Sequence, residues 1–498
     1  MKKIKIITAV LLCLVLAAAF IACSEKEKEK TNTQTPTGTN TEGPRVEHPD
    51  APDLEPFDMG KKTFTFFLLD EQRPEIAPET LSTPDAPDPI EEAVYQRKLK
   101  IEELYNITLN QVIAGADPIK QYQDAIFADD TTYDAAITRC ENITSMLVGN
   151  YLRDFEEIPN LNPDKEYWNT NFYNSLSLLG KHYLLDGDIS KKSLECVWIL
   201  AFNKTLIKNN GLESPFDLVK NGEWTYDKMH EMAKHVAKDT DGDGKMTLEN
   251  DLWGINYNGN TIMGVINSSG VRLAELDQDG IPVLTMGNEI NLAKLEKIYT
   301  SMRNPVYSID TLFKAGGGTT DFRDVQIFRE DRCLFVLTAT NNVSGFDGYN
   351  LRSAEVDFGI IPYPKWDSTI TKYTPYTANN FHPVLTVPNT NRDLENTGKI
   401  LDMMAYEGMM EIRPEYYESL LKRKTLNSRD NESGDMIDYI FGNLQYDVGA
   451  MFNFGGIVGT FGYTMSTQLN VGITSQIDKN KGPWGRAITK VINEISGQ

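Results

Sequence analysis

The chain has 498 residues and a formal net charge of −22 at pH 7, with 71 acidic side chains against 49 basic ones. That balance excludes a nucleic-acid partner, whose phosphates require a basic face. The length exceeds what one ordinary domain uses.

At the N-terminus, Lys2, Lys3 and Lys5 precede an apolar run from Ile6 to Ala22, a targeting segment and not part of the fold. The run stops at Ala22-Cys23-Ser24. A small residue followed by cysteine at that point resembles the lipobox of bacterial lipoproteins, with Phe20 where Leu is usual. The resemblance implies that Cys23 is acylated and becomes the first residue of the mature chain. An ordinary secretory signal with an incidental cysteine is the alternative. From Ser24 to Pro56 the sequence is rich in Lys, Glu, Thr, Pro and Asn and almost without large apolar side chains. It is expected to be a flexible tether, reaching on the order of 30 Å. Residues 1–22 are therefore read as a signal peptide and 23–56 as lipidated cysteine plus tether. No later stretch has transmembrane length. With Cys13 and Cys23 set aside, Cys140, Cys196 and Cys333 remain. They are too widely spaced for a disulfide framework or a metal cluster.

In the body, KTFTFFLL (62–69) reads as a first strand. A helix follows with Asp88 as N-cap, Pro89 at its first position, and an apolar stripe of Ile90, Val94, Leu99, Ile101 and Leu104. ITLNQVIA is a strand, PIKQYQDAIFA a helix and YDAAIT a short buried strand. VWILAFNK is a strand and EWTYDKMHEMAKHVAK a helix capped by Thr225; LWGINY, CLFVLTAT, VDFGIIPYP and HPVLTVP are further strands, with a helix in EINLAKLEKIYTSMR. From about 391 the chain is mostly helical. Strands alternating with helices predict a largely parallel α/β sheet.

The order of these segments resembles the extracellular solute-binding proteins of ABC importers. The likeness lies in Asn203, Lys204, Gly211, Leu212, Pro215 and the aromatic-Thr-aromatic-Asp start at Trp224 to Asp227. Downstream, Phe328 and Arg332 fit the family pattern, with Asp331 where Gly is usual; Phe358, Gly359, Pro362 and Pro364 continue it. It covers most of 60–498 and is strongest from about 195 to 390. The nearest type is the carbohydrate-binding group that includes maltose-binding protein. The resemblance implies an α/β, two-lobed periplasmic-binding-protein-like fold with hinge strands between lobes. Lobe one would be 60–194 plus 376–425, and lobe two 195–375 plus 426–498. It also implies a monomer on the outer face of the cytoplasmic membrane, passing a solute to an ABC permease.

One loop, KDTDGDGKMTLEND (238–251), spaces carboxylates as an oxygen-seeking cation requires. Asp239, Asp241 and Asp243 occupy positions 1, 3 and 5, Gly244 the sharp turn, Lys245 offers its carbonyl, and Thr247 stands at 9. Asn250 replaces the usual bidentate Glu, with Asp251 next to it. The expectation is a structural calcium ion; a metal-free Asp-Gly turn is the alternative.

Sugar recognition needs aromatic faces and planar polar groups. Trp168 and Asn169 lie in YWNTNFYN, and Asn341 and Asn342 end an apolar strand in TATNN. Asn379 and Asn380 precede another strand, Tyr257 and Asn260 lie in NYNGN, and Asp70 and Arg139 each follow a strand. All are candidate ligand contacts, since α/β proteins bind at carboxyl ends of strands. Trp198 and Trp224 are expected in the core. A lipid-anchored glycosidase would need two carboxylates at a set separation, but no local signature marks such a pair. There is no G-x-S-x-G, no Walker A, and His230 and His235 are not spaced as a zinc pair. The sequence therefore points to a non-enzymatic receptor, most simply for an oligosaccharide, with a peptide or other solute as alternative.

Overall fold

The computed structural model describes residues 51–52, 57–68, 81–82, 89–115, 117–313, 325–344, 350–379, 381–421 and 431–497. Asp88, Asp70, Asn380 and Cys23 lie outside them, as does nearly all of the expected tether. No helix among the described residues is long and apolar enough to cross a membrane.

Three strands come first: β1 (Thr63–Leu68), β2 (Thr108–Ile113) and β3 (Ala135–Arg139). Then follow β4 (Trp198–Asn203), β5 (Trp253–Tyr257), β6 (Ala274–Leu276), β7 (Pro282–Leu284) and β8 (Ser308–Asp310). Last come β9 (Cys333–Ala339), β10 (Phe358–Ile361) and β11 (Pro383–Thr386). They form two main sheets, β11-β3-β1-β2 and β10-β4-β9-β5-β8, and the hairpin β6-β7. Both main sheets are mixed: β11 runs antiparallel to β3, and β4 runs antiparallel to β10 and β9. The expectation of a largely parallel sheet holds for β1–β3 and for β5, β8 and β9. The antiparallel strands are those on which the chain passes between the sheets.

Side chains on successive strand residues face opposite ways, so a strand covered on both faces is apolar throughout. In β1, Phe64, Phe66 and Leu68 join one core and Phe67 another. In β4, Trp198, Leu200 and Phe202 face one core of the second sheet while Ile199 and Ala201 face the other. Helix Leu394–Glu407 packs on the first sheet through Ile400, Leu401 and Met404. The final helix, Ile473–Ser496, serves both: Ile473, Ile477 and Trp484 join the core of the second sheet, Ile488, Val491 and Ile495 that of the first.

Two local readings of the sequence change. In helix Pro89–Tyr105 the buried face is Ile90, Ala93, Val94, Arg97 and Ile101, whereas Leu99 and Leu104 are 39% and 50% exposed. Arg97 takes the place of an apolar residue because its guanidinium donates to the carbonyls of Asp188, Ile189 and Met404 at 3.2, 2.9 and 3.2 Å. Asp331, which replaces the family's glycine, holds φ +60°, the left-handed region that favours glycine. Its carboxylate accepts from Asn203 Nδ2 at 2.5 Å, and Asn203 in turn caps helix Lys204–Asn209.

Candidate functional site

Two chain segments pass between the sheets and pair with each other. Trp198 N donates to Tyr376 O at 2.9 Å and Ala378 N to Cys196 O at 2.8 Å. Beside them lie the carboxyl ends of strands from both sheets. At the end of β9, Thr340 Oγ1 donates to Leu194 O (2.6 Å) and Asn342 Nδ2 to Thr338 Oγ1 (2.8 Å). Asn341 Oδ1 is buried without a partner. At the end of β3, Arg139 pairs with Glu141 at 2.5 Å. Asn379 is buried and donates to Ala450 O at 3.0 Å, tying the second passing segment to helix Val448–Phe452. Tyr257 closes β5 inside the core, 3% exposed. Asn260 N is held by Asn258 Oδ1 at 2.9 Å. Near it two aromatics unmarked in the sequence meet edge to face, Phe313 and Tyr463 at 5.1 Å, with Tyr463 45% exposed.

Trp168 and Asn169 sit elsewhere, on a pocket of about 400 Å³ that they share with Asp186, Asp188, Arg413 and Tyr417. Trp168 is 3% exposed, and its indole N–H is spent on Asp402 Oδ1 at 2.7 Å, beside Tyr167 OH on Oδ2 at 2.6 Å. Burial raises the pKa of Asp402, and these two donors oppose the rise. Trp168 is thus an anchor for the loop rather than a face open for stacking. Asn169 caps helix Thr170–Ser175 through Phe172 N at 3.0 Å and donates to Asp186 Oδ2 at 3.1 Å. Arg413 Nε binds Asp188 Oδ1 at 3.0 Å. Burial lifts the Asp188 carboxyl to about 6 while Arg413 pulls it down. These groups satisfy one another.

Between this pocket and the strand ends lies a buried polar array that no motif announced. His382 Nδ1 lies 2.9 Å from both Cys196 Sγ and Thr377 Oγ1, and its Nε2 lies 3.4 Å from Asp186 Oδ2. Cys140 N donates to His382 O at 3.1 Å, linking the array to the end of β3. Its members come from two distant stretches, 186–196 and 377–382, so only the pairing of the passing segments could reveal it.

In the acidic loop, the carboxylate oxygens of Asp239, Asp241 and Asp243 lie within 4.8 Å of one another. Gly242 N and Gly244 N both donate to Asp239 at 2.7 Å, and Gly244 has φ +83°. Asn250 Nδ2 reaches Asp241 Oδ2 at 3.0 Å, so position 12 does fold back on the cluster. Asp251, expected among the ligands, instead accepts from Thr240 N (2.7 Å) and Thr247 N (2.6 Å). Those amides lower its pKa, and it latches the loop ends together.

No protein-family model and no curated protein matches this sequence. Solved structures do. An ABC substrate-binding protein from Listeria monocytogenes, in complex with cycloalternan, superposes with a TM-score of 0.52 at 14% identity, over 88% of this chain and 99% of that one. A solute-binding protein from Thermotoga lettingae bound with α-D-tagatose gives 0.53 at 13%, over 86% and 100%. A cyclo/maltodextrin-binding protein complexed with maltotetraose gives 0.52 at 11%, over 87% and 96%. The fold is therefore the two-lobed α/β fold of ABC solute-binding proteins.

Proposed function

We propose that this chain is the solute receptor of an ABC importer and that it captures a carbohydrate, most simply an oligosaccharide. The observation that carries the reading is the edge where the passing segments meet the strand ends. Amide and aromatic groups gather there, and polar atoms stay unsatisfied, whereas the groups of the 400 Å³ pocket satisfy one another. Similarly folded proteins hold cycloalternan, tagatose and maltotetraose. In this reading the lobes close on the solute, and a membrane permease takes it from them. The receptor is a monomer without catalytic turnover, held on the outer face of the cytoplasmic membrane by acylated Cys23. Two acyl chains anchor firmly where one does not.

Calcium in the 239–250 loop belongs to the same reading. Three carboxylates, the Lys245 carbonyl, Thr247 and Asn250 suit a hard cation, which would pin the loop ahead of β5.

Thermal unfolding of the tether-free body, in calcium, against a panel of oligosaccharides and peptides tests the reading. A ligand that binds only the native state adds about 2.7 kcal/mol at a hundredfold excess over Kd. A rise with one glycan series supports the assignment. A rise with peptides alone keeps the fold and refutes the solute, and conversion of a glycan to product refutes the receptor.

A further inference from the structure

The chain satisfies three of its buried indoles within the protein: Trp168 donates to Asp402, Trp224 to Pro362 O and Trp253 to Thr247 O. Trp198 differs. It is 4% exposed, and its Nε1 has no partner; Tyr376, 1% exposed, has an equally unpartnered hydroxyl. A buried donor without an acceptor is costly, and native proteins rarely keep one without a reason.

The two are neighbours by register. Val197 bridges Thr377 antiparallel, and Trp198 N bonds Tyr376 O, while on its other side Trp198 faces Ala339 of β9. Tyr376, Trp198 and Ala339 therefore form one row, and all three belong to the same core cluster. The row ends where β9 ends, one residue short of Thr340 and two short of Asn341, whose Oδ1 is also orphaned. Phe381 meets Trp198 edge to face at 5.8 Å. Three unsatisfied polar atoms thus lie along the seam where the two passing segments meet β9, beside the carboxyl edge of the second sheet.

We propose that the indole N–H of Trp198 and the hydroxyl of Tyr376 form the hydrogen-bonding floor that holds the solute, and that they select a neutral, hydroxyl-bearing ring. This assignment rests on the carbohydrate reading above. An indole N–H can only donate, so the solute must present an acceptor, such as a ring oxygen or hydroxyl. The nearby charges are committed. The Asp447 carboxylate takes the backbone amides of Leu273, Ala274, Gly449 and Ala450, and Arg139 is paired with Glu141. Arg272, the further cation whose charge reaches Tyr376, holds the carbonyls of Asn267 and Val271 through Nη1 at 2.9 and 3.1 Å.

Two measurements on the tether-free body test it. Tyr376→Phe removes the hydroxyl without changing shape, so it leaves the unliganded unfolding midpoint unchanged or higher. It weakens binding of maltotetraose, or of whichever glycan in the panel shifts the wild type, by about tenfold, the worth of one good hydrogen bond. In 15N-indole spectra, with the Trp198 signal assigned by its absence in Trp198→Phe, that signal moves downfield as the glycan is added. A lower unliganded midpoint for Tyr376→Phe overturns the assignment, because the hydroxyl then has a partner inside the protein. So does unaltered affinity with a stationary Trp198 signal, and the receptor reading survives that outcome. A wild type that binds no glycan refutes the carbohydrate reading itself.

Discussion

Arg97 is a charge where a helix face should be apolar, and its surroundings explain how it is kept. It is 1% exposed, and burial lowers its pKa to about 10, with Asp188 and Glu407 opposing the fall. Replacing it by Met keeps the stem but removes the guanidinium from three buried carbonyls, of which that of Met404 still accepts from Gly408 N. Arg97→Met is expected to cost about 3 kcal/mol in urea unfolding with the m-value unchanged; a loss below about 1 kcal/mol would mean water replaces the guanidinium. His382 makes a different prediction. Burial opposes its charge, but the Cys196 sulfur and the Asp186 carboxylate outweigh burial and push its pKa up to about 10. The folded value lies above the unfolded one of about 6.5. The stabilisation is therefore complete below about pH 6.5 and disappears as pH rises through about 10. Unfolding midpoints followed across that window should fall in the wild type and run flatter in His382→Gln and in Asp186→Asn. An unchanged slope in both variants would assign the alkaline loss to other groups.

At the scale of elements, the acidic loop separates two roles that the sequence placed side by side. Asp239, Asp241 and Asp243 converge, while Asp251 closes the loop without joining them. Calcium should raise the unfolding midpoint with an affinity of about 10⁻⁴–10⁻³ M, the range of extracellular modules. Asp241→Ala should remove that rise, whereas Asp251→Ala should lower the midpoint equally in calcium and in chelator. If Asp241→Ala keeps the calcium effect, the loop is an ordinary turn. The strands that form the sheets' centres were legible because both faces are covered and apolar residues run on without a break, as in TFTFFL and WILAFN. Helix Tyr226–Val236 was legible from its cap, with Thr225 accepting from Lys228 N. The three-residue strands β6, β7 and β8 were not, being too short for any period to register. The partners of Trp168 and Trp198 were equally hidden. Trp168 stands in a polar-aromatic stretch and Trp198 in an apolar run, and only the tertiary pairing decides that the first indole finds a carboxylate and the second finds nothing.

Across the molecule, the question is whether the two sheets unfold as one. The final helix puts Trp484 in the core of the second sheet and Val491 in that of the first, seven residues along one rigid element. Asp447 adds a second tie, since its carboxylate joins helix Val448–Phe452, which packs with the first sheet, to the chain entering β6. Neither core can lose its share of this helix without exposing apolar surface on the other. Trp484→Ala is accordingly expected to cost about 3–5 kcal/mol and to shift the whole calorimetric transition, with tryptophan fluorescence and far-ultraviolet dichroism moving together. Val491→Ala should shift the same single transition by a smaller amount. Two resolved transitions, with each variant moving only one, would instead mean that the helix frays at Pro483 and each sheet keeps its half independently. Single-transition behaviour would also bear on capture. In the receptor proposed above, a solute held between strand ends of both sheets would then stabilise the entire body, so the thermal shift on binding should appear undiminished in every probe.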